Sequence, residues 1–242
     1  MVTKVQQATA DAAGDPAAIT LTGVTQGNLL TLVVPRYRSN ISDTLGTPTD
    51  SSTETWSAAS NPASAEFLPG NSMGISLWYL PNCAAGTHTV TLPSGFVTNV
   101  EMTLVEWSGI DAAPLDVVAT PVSNLDTASI SITSAATNFA NELVIAAVVI
   151  NNDTNPAGLT DPPTGYTSLH VQQNSANDVA HEIAYKIVSA TGAQSASWSW
   201  TSAGTDMVGQ AILATFKATA GAAAGAPPPF NPARRAMQLT NL

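Results

Sequence analysis

One pattern in the sequence is associated with a catalytic nucleophile. Residues 70–74 read Gly-Asn-Ser-Met-Gly, the G-x-S-x-G arrangement in which a strained turn between a strand and a helix exposes a serine. Here the pattern runs into the strand-like segment Ile75 to Leu80, so no helix would supply donors for an oxyanion. We therefore predict that Ser72 lies in a loop with two turn glycines, and that the protein is not an enzyme and has no catalytic residues.

The histidines are the next candidates for chemistry. His88, His170 and His181 fall on separate predicted strands, without a His-x-His or His-x-x-x-His spacing. His181 and Glu182 are adjacent, and adjacent strand residues point to opposite faces of a sheet. We therefore predict no metal site and no cofactor, and interpret these side chains as polar positions on half-buried strands.

A segment rich in Asn and Asp could supply oxygen ligands. Asn151, Asn152 and Asp153, together with Asp161, offer the hard ligands that calcium prefers. The order is not that of an EF-hand, and Asn and Asp are common turn formers. Calcium binding and an ordinary loop both remain open at this point.

Large aromatic side chains could contact a ligand, because an exposed ring can stack on a sugar. Trp56 and Trp78 are the candidate ligand-binding residues. Most of the aromatics are expected in the core, since Trp198 and Trp200 are two residues apart and share one strand face.

Composition excludes several classes of protein. The chain has 242 residues, 7 Lys plus Arg against 17 Asp plus Glu, and a net charge of −10, so it lacks the cations that nucleic-acid binding needs. The single cysteine, Cys83, cannot form an intrachain disulfide. The segment Met1 to Ala10 lacks the apolar core of a secretory signal, and the longest apolar run, Leu143 to Ile150, is too short to span a membrane. We expect a protein that is made in the cytoplasm, with no membrane partner.

The chain is expected to be all-β, because short Val-, Ile- and Thr-rich segments alternate with Gly, Pro, Asn and Ser clusters. The first set of predicted strands is Ala18 to Thr22, Asn28 to Pro35, Glu54 to Ala59, Gly74 to Leu80, His88 to Leu92 and Asn99 to Trp107. The second set is Ser129 to Thr133, Glu142 to Asn151, Tyr166 to Gln172, Val179 to Val188, Gln194 to Trp200 and Met207 to Phe216.

The two sets read as one list repeated. Asn28 to Val34 matches Asn141 to Ala147, and the last strands align Trp107 with Phe216. We predict two tandem, internally duplicated antiparallel β-sandwich units of jelly-roll or immunoglobulin-like type. Their expected bounds are 1–112 and 113–220, with a short, tightly packed join at Asp111 to Pro121 and an extended Ala/Pro-rich tail at 221–242.

The tail has its own composition. It contains three consecutive prolines, which favour an extended chain, followed by two arginines among apolar residues. Such a segment cannot bury itself, so its composition fits either a disordered tail or a segment that binds a partner, and we expect it to bind a partner. The candidate partner-binding residues are Phe230, Arg234, Arg235, Met237, Leu239 and Leu242.

The motifs together resemble a family of β-sandwich proteins from phage genomes and bacterial prophage regions. The resemblance rests on Gly27 to Leu30, Trp56, Leu77 to Tyr79, Ala84 to Thr91 and Val105 to Gly109, and on the tail. It implies a virion structural protein, either a capsid decoration or a tail-associated component, whose partners are other virion proteins and copies of itself. The alternative is a carbohydrate- or receptor-binding β-sandwich module, whose partner would be a glycan or a host receptor.

Overall fold

The computed structural model describes residues 1–12, 17–39, 44–68, 71–94, 99–125, 127–151, 159, 162–172, 179–201 and 208–219. Within these ranges the chain forms seventeen β-strands and no helix, and every strand pair is antiparallel. The predicted all-β, antiparallel class is confirmed. The described residues contain no helix long and apolar enough to cross a membrane.

Nine strands occupy the first part of the chain. They are β1 (Thr3–Ala12), β2 (Ala18–Val24), β3 (Leu29–Ser39), β4 (Thr49–Asp50), β5 (Ser57–Ser60), β6 (Ala65–Leu68), β7 (Asn71–Leu80), β8 (Gly86–Thr91) and β9 (Asn99–Ser108). A larger sheet has the order β1-β9-β3-β7-β5, with β6 paired to another part of β7, and a smaller sheet has the order β2-β8-β4.

Eight strands occupy the second part of the chain. They are β10 (Ile110–Val118), β11 (Val122–Leu125), β12 (Ser129–Ala136), β13 (Glu142–Asn151), β14 (Thr167–Gln172), β15 (Val179–Val188), β16 (Ala193–Ser199) and β17 (Val208–Ala218). The larger sheet has the order β10-β17-β13-β15-β14, with β11 also paired to β17, and the smaller sheet consists of β12 and β16. The first strand of each set therefore pairs with the last, and the other strands of the two larger sheets occupy corresponding places.

Three apolar clusters hold the four sheets together. The outer two lie between each smaller sheet and the larger sheet of the same half. The third, which we call the central cluster, lies between the two larger sheets and contains Leu77 and Trp107 from one and Ile145 and Phe216 from the other. The layers therefore follow in the order small, large, large, small.

This layering explains the two sequence patterns of the strands. In β13 every residue from Leu143 to Ile150 is buried, because both faces of its sheet are covered, and such strands read as continuous apolar runs. In β12 and β16 buried and exposed residues alternate, because the other face of that small sheet meets solvent.

Strand registers correct one detail of the repeat. The sequence alignment set Leu30 against Leu143, but Leu29 lies opposite Trp107 and Leu143 lies opposite Phe216. Leu29 and Leu143 both belong to the central cluster, whereas Leu30 faces an outer one. Leu29 is therefore the counterpart of Leu143, since a slip of one residue turns every side chain of a strand to the other face.

The segment in which the join was expected, Asp111 to Pro121, contains a strand. Residues 110–118 form β10, which pairs with β17 across Leu115 and Phe216. Most of the segment is therefore an edge strand of the second larger sheet.

Candidate functional site

Ser72, the candidate nucleophile, is not displayed on a turn. It lies inside β7 and is buried, so the expected loop is a strand at residues 71–74, while residue 70 lies outside the described residues. Gly74 has a packing role instead: a Cβ at this position would lie 2.7 Å from Nη2 of Arg36 and 2.8 Å from Oγ of Ser64. The glycine makes room for the buried guanidinium, which donates to Oγ of Ser76 at 2.6 Å.

The two candidate sugar-binding tryptophans are both in the core. Trp56 and Trp78 are 2% and 4% exposed and belong to the outer cluster of the first half. The indole Nε1 of Trp56 donates to Oδ2 of Asp50 at 3.2 Å. Neither ring has a face open to a sugar, so the interpretation of the large aromatics as core residues fits the structure.

Other candidates fall outside the described residues. The tail residues Phe230, Arg234, Arg235, Met237, Leu239 and Leu242 do so, as do Asn152, Asp153 and Asp161 of the calcium candidate.

A cluster around His88 contains the residue types of a hydrolytic triad. Nδ1 of His88 lies 3.0 Å from Oδ2 of Asp50 and 3.4 Å from Oγ of Ser52, while Nε2 contacts the carbonyl of Ala84 at 3.0 Å. A triad needs one ring nitrogen for the nucleophile and the other for the carboxylate. Here serine and carboxylate share one nitrogen and a backbone carbonyl occupies the second, so the cluster ties β4 to β8 and cannot activate Ser52.

The pKa values in this cluster indicate an ion pair. Burial alone would lower the pKa of His88, but the ring's contacts with Ala84 and with the Asp50 carboxylate raise it overall. Burial alone would raise the pKa of Asp50, but hydrogen bonds from Ser52 and His88 lower it overall. Each partner therefore favours the charged form of the other.

Glu106 is a second buried carboxylate with a structural role. It accepts hydrogen bonds from the side chains of Gln6 and Asn28, both at 2.6 Å, and from the backbone of Thr25 at 2.9 Å. Burial opposes ionisation, but these hydrogen bonds lower the pKa of Glu106 overall. The charged carboxylate therefore fixes the turn between β2 and β3.

Glu142 and Asp116 form a pair of carboxyl groups in the second half. Burial raises the pKa of Glu142 to about 7, and the Asp116 carboxyl adds to that rise, whereas the Thr215 hydroxyl acts against it. The pKa of Asp116 is lowered, because hydrogen bonds with Glu142 and Asn138 outweigh its own burial. One proton is therefore held on Glu142, next to an ionised Asp116, near neutral pH.

One group of side chains spans the two larger sheets and contains the ligand types of a metal centre. Nδ1 of His181 lies 3.0 Å from Oε2 of Glu101, and its Nε2 lies 3.3 Å from Nδ1 of His170. The two rings meet edge to face, with centroids 4.8 Å apart. His181 is 1% exposed and the Glu101 side chain 17%, so the group sits at the border of the core.

Strand geometry accounts for this convergence. His170 lies opposite Ile183 and Gln172 opposite His181, which makes the two histidines diagonal neighbours on one face of the sheet. The register shifts between Ser168 and His170, and this bulge lets Leu169 and His170 face the same side. Glu101 comes from β9 of the other larger sheet.

The sequence predicted no metal-ligating set, and the structure brings three residues of ligand type close together. A donor atom of Glu101, one of His170 and one of His181 lie within 4.8 Å of one another. A residue spacing within one strand cannot reveal this set, because its residues belong to three strands and two sheets. The strand register with its bulge is what brings His170 and His181 together, and neither is visible in a residue spacing.

Comparisons of the chain with known protein families, with curated proteins and with solved structures find no match. The fold defines an antiparallel all-β protein of four stacked sheets.

Proposed function

We propose that this chain is a non-enzymatic structural protein of a virion, either a capsid decoration or a tail-associated component, which docks on its partner through residues 221–242. The observation that carries the proposal is the central cluster. It joins the two larger sheets by apolar contacts along their facing sides, which makes both halves one rigid block, as a repeated subunit of an assembly requires.

The polar clusters of the described residues support a structural role. The His88 and Glu106 clusters use their polar atoms to connect strands and turns. Ser72 is buried within a strand. Ser52 is not arranged as hydrolysis needs, because it shares one nitrogen of His88 with the Asp50 carboxylate.

We also infer that the block consists of two tandem, duplicated β-sandwich units followed by the tail. The larger sheets share one strand order. The first strand of each is irregular in register, between Lys4 and Gln6 in one half and on both sides of Leu115 in the other. Lys4 lies opposite Trp107 and Leu115 opposite Phe216, so an irregularity follows the corresponding pair in both halves.

The composition of the tail supports its proposed role in docking. Two of the chain's seven cations are Arg234 and Arg235, on a protein with a net charge of −10. They stand among Phe230, Met237 and Leu239, which supply apolar anchors. A segment of this kind gains contacts by ordering on a partner surface. The carbohydrate- or receptor-binding alternative has no comparable support, since Trp56 and Trp78 are buried.

The experiment removes the tail from the chain. A variant ending at residue 225 and a full-length variant with residues 226–242 replaced by a Gly/Ser sequence are produced beside the native chain. We expect both to keep the β-sheet circular dichroism spectrum and both to be missing from sedimented particles that contain the native chain. Incorporation of the variants at the native level would contradict tail docking.

A further inference from the structure

We propose that Glu101, His170 and His181 bind one divalent transition-metal ion, with Zn²⁺ as the fitting ion, between the two larger sheets. The three residues offer two imidazole nitrogens and one carboxylate oxygen, the ligand set that Zn²⁺ and neighbouring transition metals take. Ca²⁺ and Mg²⁺ prefer oxygen ligands alone, so the chemistry of the set selects against them.

The distances bring three ligands within reach of one small ion. With bonds of about 2.0–2.1 Å, two ligands of a tetrahedral Zn²⁺ lie about 3.3 Å apart. The two contacts of His181 involve different ring nitrogens, Nδ1 to Glu101 at 3.0 Å and Nε2 to His170 at 3.3 Å, and a single ion would take only one of these nitrogens. One donor atom of each residue lies within 4.8 Å of the others, so small side-chain rotations would bring all three to one ion.

Glu101 is the residue that points most clearly to a cation. Its Oε2 is buried and accepts no hydrogen bond from the described residues, although Nδ1 of His181 is only 3.0 Å away. The nitrogen and the oxygen are therefore in contact without the alignment of a hydrogen bond. A buried carboxylate oxygen is costly without a partner, and a metal ion between the two groups would supply one.

The surroundings provide support for the ligands and an open side. The Thr103 hydroxyl lies 3.2 Å from Nδ1 of His170, so with Nε2 of His170 as the ligand, this contact would orient the ring as outer-shell partners orient metal-binding imidazoles. His170 is only half-buried, so an ion could enter from its side. With one ligand on β9 and two on β14 and β15, the ion would link the two larger sheets directly.

The test measures Zn²⁺ binding to the full chain without an affinity tag, since a histidine tag would bind the metal itself. Isothermal titration with Zn²⁺ is done on the native chain, on His170→Gln and on Glu101→Gln. Both changed residues are partly exposed, so both variants should fold. Asp111→Asn is the matched control, because Asp111 pairs with Lys217 at 3.7 Å, outside the cluster.

We expect one Zn²⁺ to bind per native chain and per control chain, and binding roughly tenfold weaker or more in the other two variants. We also expect Zn²⁺ to raise the melting temperature of the native chain and of the control, because an ion that binds only the folded state stabilises it. Ca²⁺ at the same concentration should do neither. Absence of Zn²⁺ binding by the native chain, or equal binding by all four proteins, would overturn the proposal.

Discussion

At the scale of single residues, the pair formed by His88 and Asp50 makes stability depend on pH. The pKa of His88 is raised, so its contribution is complete below about 6.5, the ordinary imidazole value, and is lost as pH rises through the raised value. The pKa of Asp50 is lowered from 3.8, so its contribution is present above that value and is lost as pH falls through the lowered one. The pair therefore stabilises the fold between these two limits.

Replacing Asp50 by Asn should destabilise the fold most where His88 is charged. We expect Asp50→Asn to lower the free energy of unfolding by about 1–3 kcal/mol at pH 6, the cost of a disrupted buried hydrogen-bonded group. The loss should become smaller as pH rises through the raised pKa of His88, because the native pair then loses the charge on the imidazole. Urea denaturation of both proteins over a series of pH values from 6 upward measures the difference.

The control for this prediction is Glu54→Gln. Oε2 of Glu54 lies 3.9 Å from Nε2 of His88, and the side chain is 26% exposed, so the loss should stay within about 0.5 kcal/mol. A loss for Asp50→Asn that is the same at every pH of the series would contradict a charged pair.

Residue types alone predicted which residues lie in the core, but they did not predict the polar clusters as well. Trp198 and Trp200 were expected in the core from their spacing, and both are buried. The contact of His170 with His181 was missed because it depends on the register between two strands and on a bulge. The residues around Ser72 match the G-x-S-x-G pattern of a nucleophile turn. The structure gives the second glycine, Gly74, another reason, since the guanidinium of Arg36 leaves no space for a Cβ there.

At the scale of strands, sequence patterns found the central strands and missed the first edge strand of each larger sheet. β13 and β15 are observed at the predicted bounds, Glu142–Asn151 and Val179–Val188, and in β13 the signal is the continuous apolar run from Leu143 to Ile150. β1 and β10 were missed, and each is the first strand in the order of a larger sheet. An edge strand pairs on one side only and carries more polar residues, so its apolar signal is weak.

The packing of Gly74 against Arg36 joins β7 to β3, and a methyl group should disturb it. A Cβ at Gly74 would meet the guanidinium of Arg36 at 2.7 Å, closer than van der Waals contact allows. We expect Gly74→Ala to cost about 1–3 kcal/mol of stability, the range for overpacking a core. Chemical denaturation gives the value.

A double-mutant cycle identifies the cause of that loss. Arg36→Leu shortens the side chain that the methyl group would meet, so Gly74→Ala should cost less in the Arg36→Leu background than in the native one. The same cost in both backgrounds would mean that the clash with Arg36 is not the cause.

At the scale of the whole molecule, the central cluster should make the four sheets unfold together. Leu143 lies in the central cluster and Leu213 in the outer cluster of the second half, and both are fully buried. We expect Leu143→Ala and Leu213→Ala each to lower stability by about 2–5 kcal/mol and to leave one cooperative transition in calorimetry. Two separate transitions in either variant would contradict a single rigid block.

Hydrogen exchange of the tail, free and in particles, tests the central claim most directly. Amide exchange of peptides from residues 226–242 is followed by mass spectrometry in the purified chain and in particles that contain it. Docking through the tail predicts fast exchange in the purified chain and strong protection in the particle, while peptides from β13 are protected in both. Equal exchange of the tail in the two samples would contradict the account.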